Sequence, residues 1–157
     1  MNLHTQEDLD RLRDECKSMV TTRAGLSAGA AVIPVPGADI GADVALLLEM
    51  IPAINRKFGL SPEQIDGLDP QIKKLVLVAI TSIGSELVGK LVTKQLILQV
   101  LKKIGIRIAT KSVVKYIPFA GQAVAATISF GAMKLVGNSH VDDCYEVAKR
   151  ALKTPTQ

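Results

Sequence analysis

The sequence predicts a compact all-α protein, a bundle of about seven or eight helices with a central buried hairpin. Aromatic residues make up only 3% of the chain and tryptophan is absent, so Leu, Ile, Val and Ala must build the core. Such side chains suit closely packed helices better than aromatic-rich strands. Apolar residues also recur at helical spacing along most of the chain, and no segment has a convincing strand pattern.

The length of 157 residues is sufficient for one core. We therefore expect a single helical domain over 1–157, with flexible ends at 1–4 and 154–157. A start signal marks the first helix, because Thr5 precedes Asp8 by three residues as in a capping box. The apolar spacing predicts an amphipathic helix over 5–22, followed by a closely packed small-residue segment over 24–32.

Two short turns share the pattern I-P-x-x-G, and each precedes an apolar stretch. Pro34 and Gly37 belong to the first turn, whereas Pro118 and Gly121 belong to the second. Proline removes a backbone donor and restricts the residue before it, so both turns are predicted to break the chain. We expect them to fix hairpins and to insert a buried helix each.

The middle of the chain carries further boundary signals. A helix over about 38–58 is predicted to stop at Gly59, with a kink at Pro52. New helices are predicted to start at Ser61-Pro62 and at Asp69-Pro70, where a capping side chain precedes a proline at the first helical position.

The remaining pattern is helical over 70–104, and a bend or break is expected at Gly84, Gly89 or Thr93. Gly105 is predicted to end this stretch, and a shorter helix over 106–115 follows. An apolar helix over 120–136 is predicted to stop at Gly137-Asn138-Ser139. A final amphipathic helix over 140–153 completes the prediction.

Positive charge is concentrated in the second half of the chain, where Glu86 is the only acidic residue between Asp69 and Asp142. The net charge is +4. Such a segment is either a solvated helix face or a contact for anionic lipid. The best candidates for a lipid or partner contact are four basic residues, Lys102, Lys103, Arg107 and Lys111. No nucleic-acid binding is expected, because residues that stack on bases are scarce.

The longest uncharged run, residues 116–133, reaches the lower limit for a membrane-spanning helix. Pro118 and Gly121 shorten it, so a buried central helix explains the pattern more economically than a spanning one. The polar N-terminus and two isolated cysteines, Cys16 and Cys144, are typical of a reducing compartment. We therefore expect a cytoplasmic protein that associates peripherally with membranes.

Residues 84–90 match most of a phosphate-binding P-loop. The motif requires Ser or Thr next, to ligate magnesium, but Leu91 stands there. The segment also lies within a helical pattern rather than after a strand. The sequence therefore favours no nucleotide site.

Two other residue pairs could form part of a functional site, but neither is accompanied by the further residues that such a site would need. His140 and Cys144 share a helix face and could ligate zinc only with Cys16 or His4, so a packed thiol is the simpler interpretation. Asp39 could favour the start of its helix by its charge, or form an acid pair with Asp43 one turn later.

For Asp43 we favour a structural role as a buried acid paired with a cation, for which Lys90 and Arg107 are candidates. We predict no catalytic residues, no metal and no cofactor.

The chain resembles the helical region that follows the GTPase domain in immunity-related GTPases. The resemblance covers residues 20–152 and rests on apolar and turn segments, namely 31–37, 43–47, 57–60, 117–121, 125–130 and 142–148. The GTPase domain and its motifs are absent from this sequence. The resemblance implies a non-enzymatic helical module that binds a membrane surface, itself or a partner GTPase. The alternative is a small integral membrane protein, or one that neutralises a toxin.

Overall fold

The computed structural model describes residues 5–30, 38–111 and 121–153, and within them the side chains of 5–26, 43–104 and 130–153. Every regular element in these ranges is helical, which confirms the predicted all-α class. The helices are α1 (Gln6–Ala30), α2 (Ala38–Lys57), α3 (Pro62–Asp66), α4 (Pro70–Ile83), α5 (Lys94–Lys111) and α6 (Gly121–Leu152). The predicted ends 1–4 and 154–157 lie outside the described residues.

The prediction of seven or eight helices is wrong, because the described ranges contain five long helices and one of five residues. Three expected breaks do not occur. Helix α1 runs through the junction near residue 23, α5 continues past Gly105 to Lys111, and α6 continues through Gly137. At Gly105 and Gly137 the glycine alone does not end the helix, because the residues on both sides of it favour the helical conformation.

Gly137 has a packing role rather than a capping role. A Cβ atom at this position would lie 2.6 and 2.8 Å from the two Val20 methyl carbons and 3.0 Å from Met50 Cε. The missing side chain therefore lets α6 approach α1 and α2 closely, as small residues do at helix contacts. This explains why a glycine inside α6 does not end the helix.

The boundaries in the middle of the chain agree with the predicted signals. The Ser61 hydroxyl accepts a hydrogen bond from the Gln64 backbone amide, and the Gln64 side-chain oxygen accepts one from the Ser61 backbone amide, which completes a capping box. Asp69 caps α4 by accepting from the Gln71 backbone amide at 2.9 Å. Gly59 adopts a left-handed conformation with φ of 71° just after α2 ends.

The predicted bend or break within 70–104 is a complete break. Gly84 ends α4 in the left-handed conformation, and its amide donates to the carbonyls of Ile80 and Thr81. Residues 85–93 then form a non-helical loop before α5 begins at Lys94.

Helix α6 occupies the centre of the arrangement, because it contacts α1, α2, α4 and α5. Its most extensive packing is with α1, and polar contacts reinforce that pair. Asp142 on α6 pairs with Arg13 at 2.6 Å and with Lys17 at 2.9 Å on α1. The buried apolar side chains of all these helices form one cluster. The central buried hairpin stays a prediction.

No helix within the described ranges combines the length and the apolar character that crossing a bilayer requires.

Candidate interaction surface

Exposed apolar side chains are concentrated in one part of the chain. Among the described residues, seven large hydrophobic side chains are exposed, and five of them lie between residues 75 and 98. Three of these five are on α4, namely Leu75, Leu77 and Val78. Leu77 is 46% exposed and Val78 is 58% exposed, so about half of each side chain faces outward.

Helix α4 is apolar on two faces. Its inner face buries Val76 and Ala79 where the helix packs on α6. Its outer face carries Leu77 and Val78 together with polar residues at helical spacing. A surface helix normally has a single apolar stripe, so the exposed Leu77 and Val78 make the outer side of α4 a candidate interaction surface.

The outer face borders a shallow groove of about 600 Å³. The described residues that line it all lie on α4 and comprise Pro70, Lys73, Lys74, Leu77, Val78, Thr81 and Ser82. We call this set the α4 outer face. Both of its charged residues are lysines, and α4 itself contains no acidic residue.

The lysines of the α4 outer face differ in their partners. Lys73 pairs with Asp66 at 2.7 Å, just before the helix begins. Lys74 is exposed and has no ion pair within the part of the chain that the structure describes. Arg150 of α6 donates a hydrogen bond to the Ser82 hydroxyl at 2.5 Å, which brings a third cation to the groove edge. The groove is therefore apolar in its centre and positive at its border.

The four predicted contact residues all lie on α5, and the helix continues far enough to align three of them. Lys103, Arg107 and Lys111 stand four residues apart on α5, and so share one helix face. Lys102 and Lys103 are both exposed, and Lys103 pairs with Glu86. The side chains of Arg107 and Lys111 lie outside the described residues.

The predicted structural residues are described only in part. Pro34, Gly37 and Pro118 lie outside the described residues, while Gly121 is the first residue of α6. Asp43 lies on α2, is partly buried and takes part in a polar interaction. Its pairing with Lys90 or Arg107 stays a prediction.

The P-loop-like segment 84–90 is a loop between helices, which corrects the prediction that it lies inside a helix. Its breakers are Gly84 and Gly89, both with positive φ. The loop closes on itself, because the Ser85 hydroxyl accepts from the amides of Leu87 and Val88. It follows helix α4 rather than a strand, so it lacks the setting in which a P-loop binds phosphate.

A buried polar chain links α2, the loop and α6. The Asn55 amide nitrogen donates to the Leu87 carbonyl at 3.2 Å, and its oxygen lies 3.5 Å from the Cys144 sulfur, which donates to it. The Cys144 sulfur is also 3.6 Å from Nε2 of His140. All three side chains are buried.

Burial determines the ionisation of His140 and Cys144. It lowers the pKa of His140 to about 4, against a weak opposing effect of the Ile51 carbonyl. It also raises the pKa of Cys144 well above the ordinary thiol value. Because the thiolate is the nucleophilic form, a neutral buried thiol beside a neutral imidazole does not make an activated Cys–His pair.

The buried thiols do not belong to a metal-binding cluster among the described residues. Within the ranges that the structure describes, no three His, Cys, Asp or Glu side chains come together in a way that could hold an ion. Cys16, the other thiol considered for zinc, is buried in the core, and burial raises its pKa to about 11. His4 lies outside the described residues.

No protein-family model, no curated protein and no solved structure matches this chain. The fold and the surface define a class only: an all-α protein with an exposed, basic and apolar helix face. Sequence analysis missed this face because the apolar residues of α4 have the pattern of a core helix. The sequence did contain a signal for this face, because α4 has more apolar residues than a single buried stripe needs.

Proposed function

We propose that this chain is a non-enzymatic helical module that attaches to anionic membrane surfaces through the α4 outer face. The observation that carries the proposal is the position of Leu77 and Val78, half-exposed beside Lys73 and Lys74 on one helix face. Interfacial helices bind membranes by this combination, with apolar side chains entering the acyl boundary and lysines remaining at the headgroups.

The magnitude favours weak and reversible attachment. Burying the exposed halves of Leu77 and Val78 gains about 1 kcal/mol each. Lys74 adds about 1 kcal/mol near an anionic surface, whereas the charge of Lys73 is offset by Asp66. The sum of about 3 kcal/mol corresponds to a dissociation constant of about 6 mM. Attachment should therefore depend on salt and on further contacts, for which the basic residues of α5 are candidates.

The resemblance to the helical region of immunity-related GTPases agrees with this proposal. In that family the region supports membrane attachment, self-association and packing against a GTPase domain. We choose the membrane because the border of the groove is positive and its centre is apolar. A partner protein would need a complementary acidic rim, and a second copy would bring the same lysines face to face.

Liposome flotation tests the proposal. The protein should float with vesicles that contain 30 mol% phosphatidylserine at low salt, and should float less with neutral vesicles or at 0.5 M salt. The double variant Leu77→Gln/Val78→Gln should lose most of this binding. Leu135→Gln is the matched control, because Leu135 is exposed to a similar degree on α6.

Two further variants locate the electrostatic contact. Lys74→Gln should reduce flotation more than Lys102→Gln if α4 is the main site, whereas the reverse order would move the site to α5. Absence of flotation at low salt would overturn the membrane proposal. So would concentration-dependent dimerisation that disappears in Leu77→Gln/Val78→Gln, because the face would then bind a second copy.

A further inference from the structure

The loop between α4 and α5 carries the most exposed large apolar side chain among the described residues. Leu91 is 75% exposed, whereas Leu87 and Val88 of the same loop are buried. Single exposed leucines are common on protein surfaces. Whether Leu91 marks a contact therefore depends on how firmly the loop is held, where it passes and which charges flank it.

The loop is held in place on both sides of Leu91. Before it, Gly89 packs so closely that a Cβ atom there would lie 2.7 Å from Cδ1 of Ile65. After it, the Thr93 hydroxyl accepts a hydrogen bond from the Leu96 amide at 3.2 Å and caps the start of α5. Leu91 thus stands two residues from a fixed point on either side, and its exposure follows from the fold of the loop.

The loop passes beside the α4 outer face. A Cβ atom at Gly89 would also lie 3.1 Å from Cδ1 of Ile80 on α4. Ile80 follows Leu77 by three residues, so these two side chains are neighbours on the helix surface. Leu91 follows Gly89 by two residues, which keeps its Cα within about 8 Å of that of Gly89. The exposed leucine of the loop is therefore close to the flank of the α4 outer face.

The charges beside Leu91 have one sign. Lys90 precedes it directly and Lys94 begins α5, and both lysines are exposed. In the sequence, no acidic residue occurs between Glu86 and Asp142. An apolar side chain with lysines on both sides has the chemistry of an interfacial contact, in which the lysines stay at the headgroups and the apolar group enters the acyl boundary.

We propose that Leu91 is a second apolar anchor, which enters the same anionic bilayer as the α4 outer face while Lys90 and Lys94 remain at the headgroups. The inference rests on the membrane attachment proposed for the α4 outer face, which alone supports only millimolar binding. A second anchor on the same rigid body strengthens that binding, because it engages without a further bimolecular step. One leucine offers too little apolar area for a stable protein interface, so a bilayer fits this site better than a partner protein.

A fluorescent reporter tests the insertion directly. The sequence contains no tryptophan, so Leu91→Trp introduces a single one at this position. With vesicles that contain 30 mol% phosphatidylserine at low salt, its emission should shift to shorter wavelength, and lipids brominated on the acyl chains should quench it. Leu26→Trp is the matched control, because Leu26 is 62% exposed on α1 and its emission should not change. Flotation of the same samples reports whether each variant is attached.

Removal of the apolar group gives the magnitude. Leu91→Gln should weaken vesicle binding about fivefold or more, because burial of the exposed three quarters of this leucine favours the bound state by that factor. Leu26→Gln should leave binding unchanged. Both side chains are exposed, so both glutamine variants should unfold in urea as the parent does.

Four outcomes would overturn the inference. Flotation of Leu91→Trp without a blue shift or quenching would mean that α4 attaches alone, and so would parent-like binding of Leu91→Gln; both leave the proposed function intact. A blue shift that appears without vesicles and grows with protein concentration would mean that Leu91 contacts a second copy. Absence of flotation in the parent would remove the proposed function and the second anchor together.

Discussion

Replacing Gly137 by alanine tests the close packing of α1 and α6. The added Cβ would lie 2.6 and 2.8 Å from the Val20 methyl carbons, closer than real Cβ contacts come. Val20 is fully buried and β-branched, so its side chain has little freedom to move away. Overpacking of this kind costs about 1–3 kcal/mol, while the better helix propensity of alanine returns about 1 kcal/mol.

We therefore expect Gly137→Ala to lower the free energy of unfolding by up to about 2 kcal/mol, measured by urea denaturation. For a chain of this size the melting temperature should fall by up to about 6 °C. Gly131→Ala is the matched control on the same helix, because a Cβ there meets nothing within 4 Å. That variant should be more stable than the parent by about 0.5–1 kcal/mol.

A double-mutant cycle isolates the contact. Val20→Ala removes the two methyl groups that the new Cβ would meet, so Gly137→Ala should be neutral or stabilising in that background. The coupling energy should be about 1–3 kcal/mol. If Gly137→Ala and Gly131→Ala changed stability by the same amount and in the same direction, the close approach of α6 to Val20 would be refuted.

Three further predictions concern the core and one helix cap. Because burial lowers the pKa of His140 to about 4, the unfolded chain binds more protons between pH 4 and pH 6.5. The free energy of unfolding should thus fall by up to about 1.4 kcal/mol per pH unit as the pH drops through this range, and an equal slope in His140→Gln would contradict this. Cys16 and Cys144 are buried with raised pKa values, so both should react slowly with a disulfide reagent until urea unfolds the chain. Fast reaction of the native protein would show that they are accessible. Ser61→Ala should cost about 1 kcal/mol in thermal or urea unfolding, whereas Ser61→Asn, which can also cap, should cost much less.

The sequence was most informative where a boundary depends on local chemistry. Ser61, Asp69 and Gly59 act through hydrogen bonds or backbone conformation within a few residues, so their roles could be predicted. Gly137 has the same local signature as a stop signal. Its role depends on Val20 and Met50, which are distant in sequence, and so it was misinterpreted.

The candidate sites were harder to predict for a related reason. Apolar periodicity identifies α4 as a helix but does not say how many of its faces are covered. The buried polar contacts depend on helices and a loop that are far apart in the chain. Pairwise sequence spacing located His140 and Cys144 on one face, but their partner Asn55 lies 89 residues before Cys144.

Asn55 explains why a core of this composition retains a polar side chain. An interior made of Leu, Ile, Val and Ala packs well in several registers, and uniform cores specify one arrangement poorly. The Asn55 amide reaches the carbonyl of Leu87, which fixes the loop that follows α4 against α2. Its oxygen simultaneously orients the Cys144 thiol on α6. One buried amide thus positions both the loop that follows α4 and helix α6 against α2.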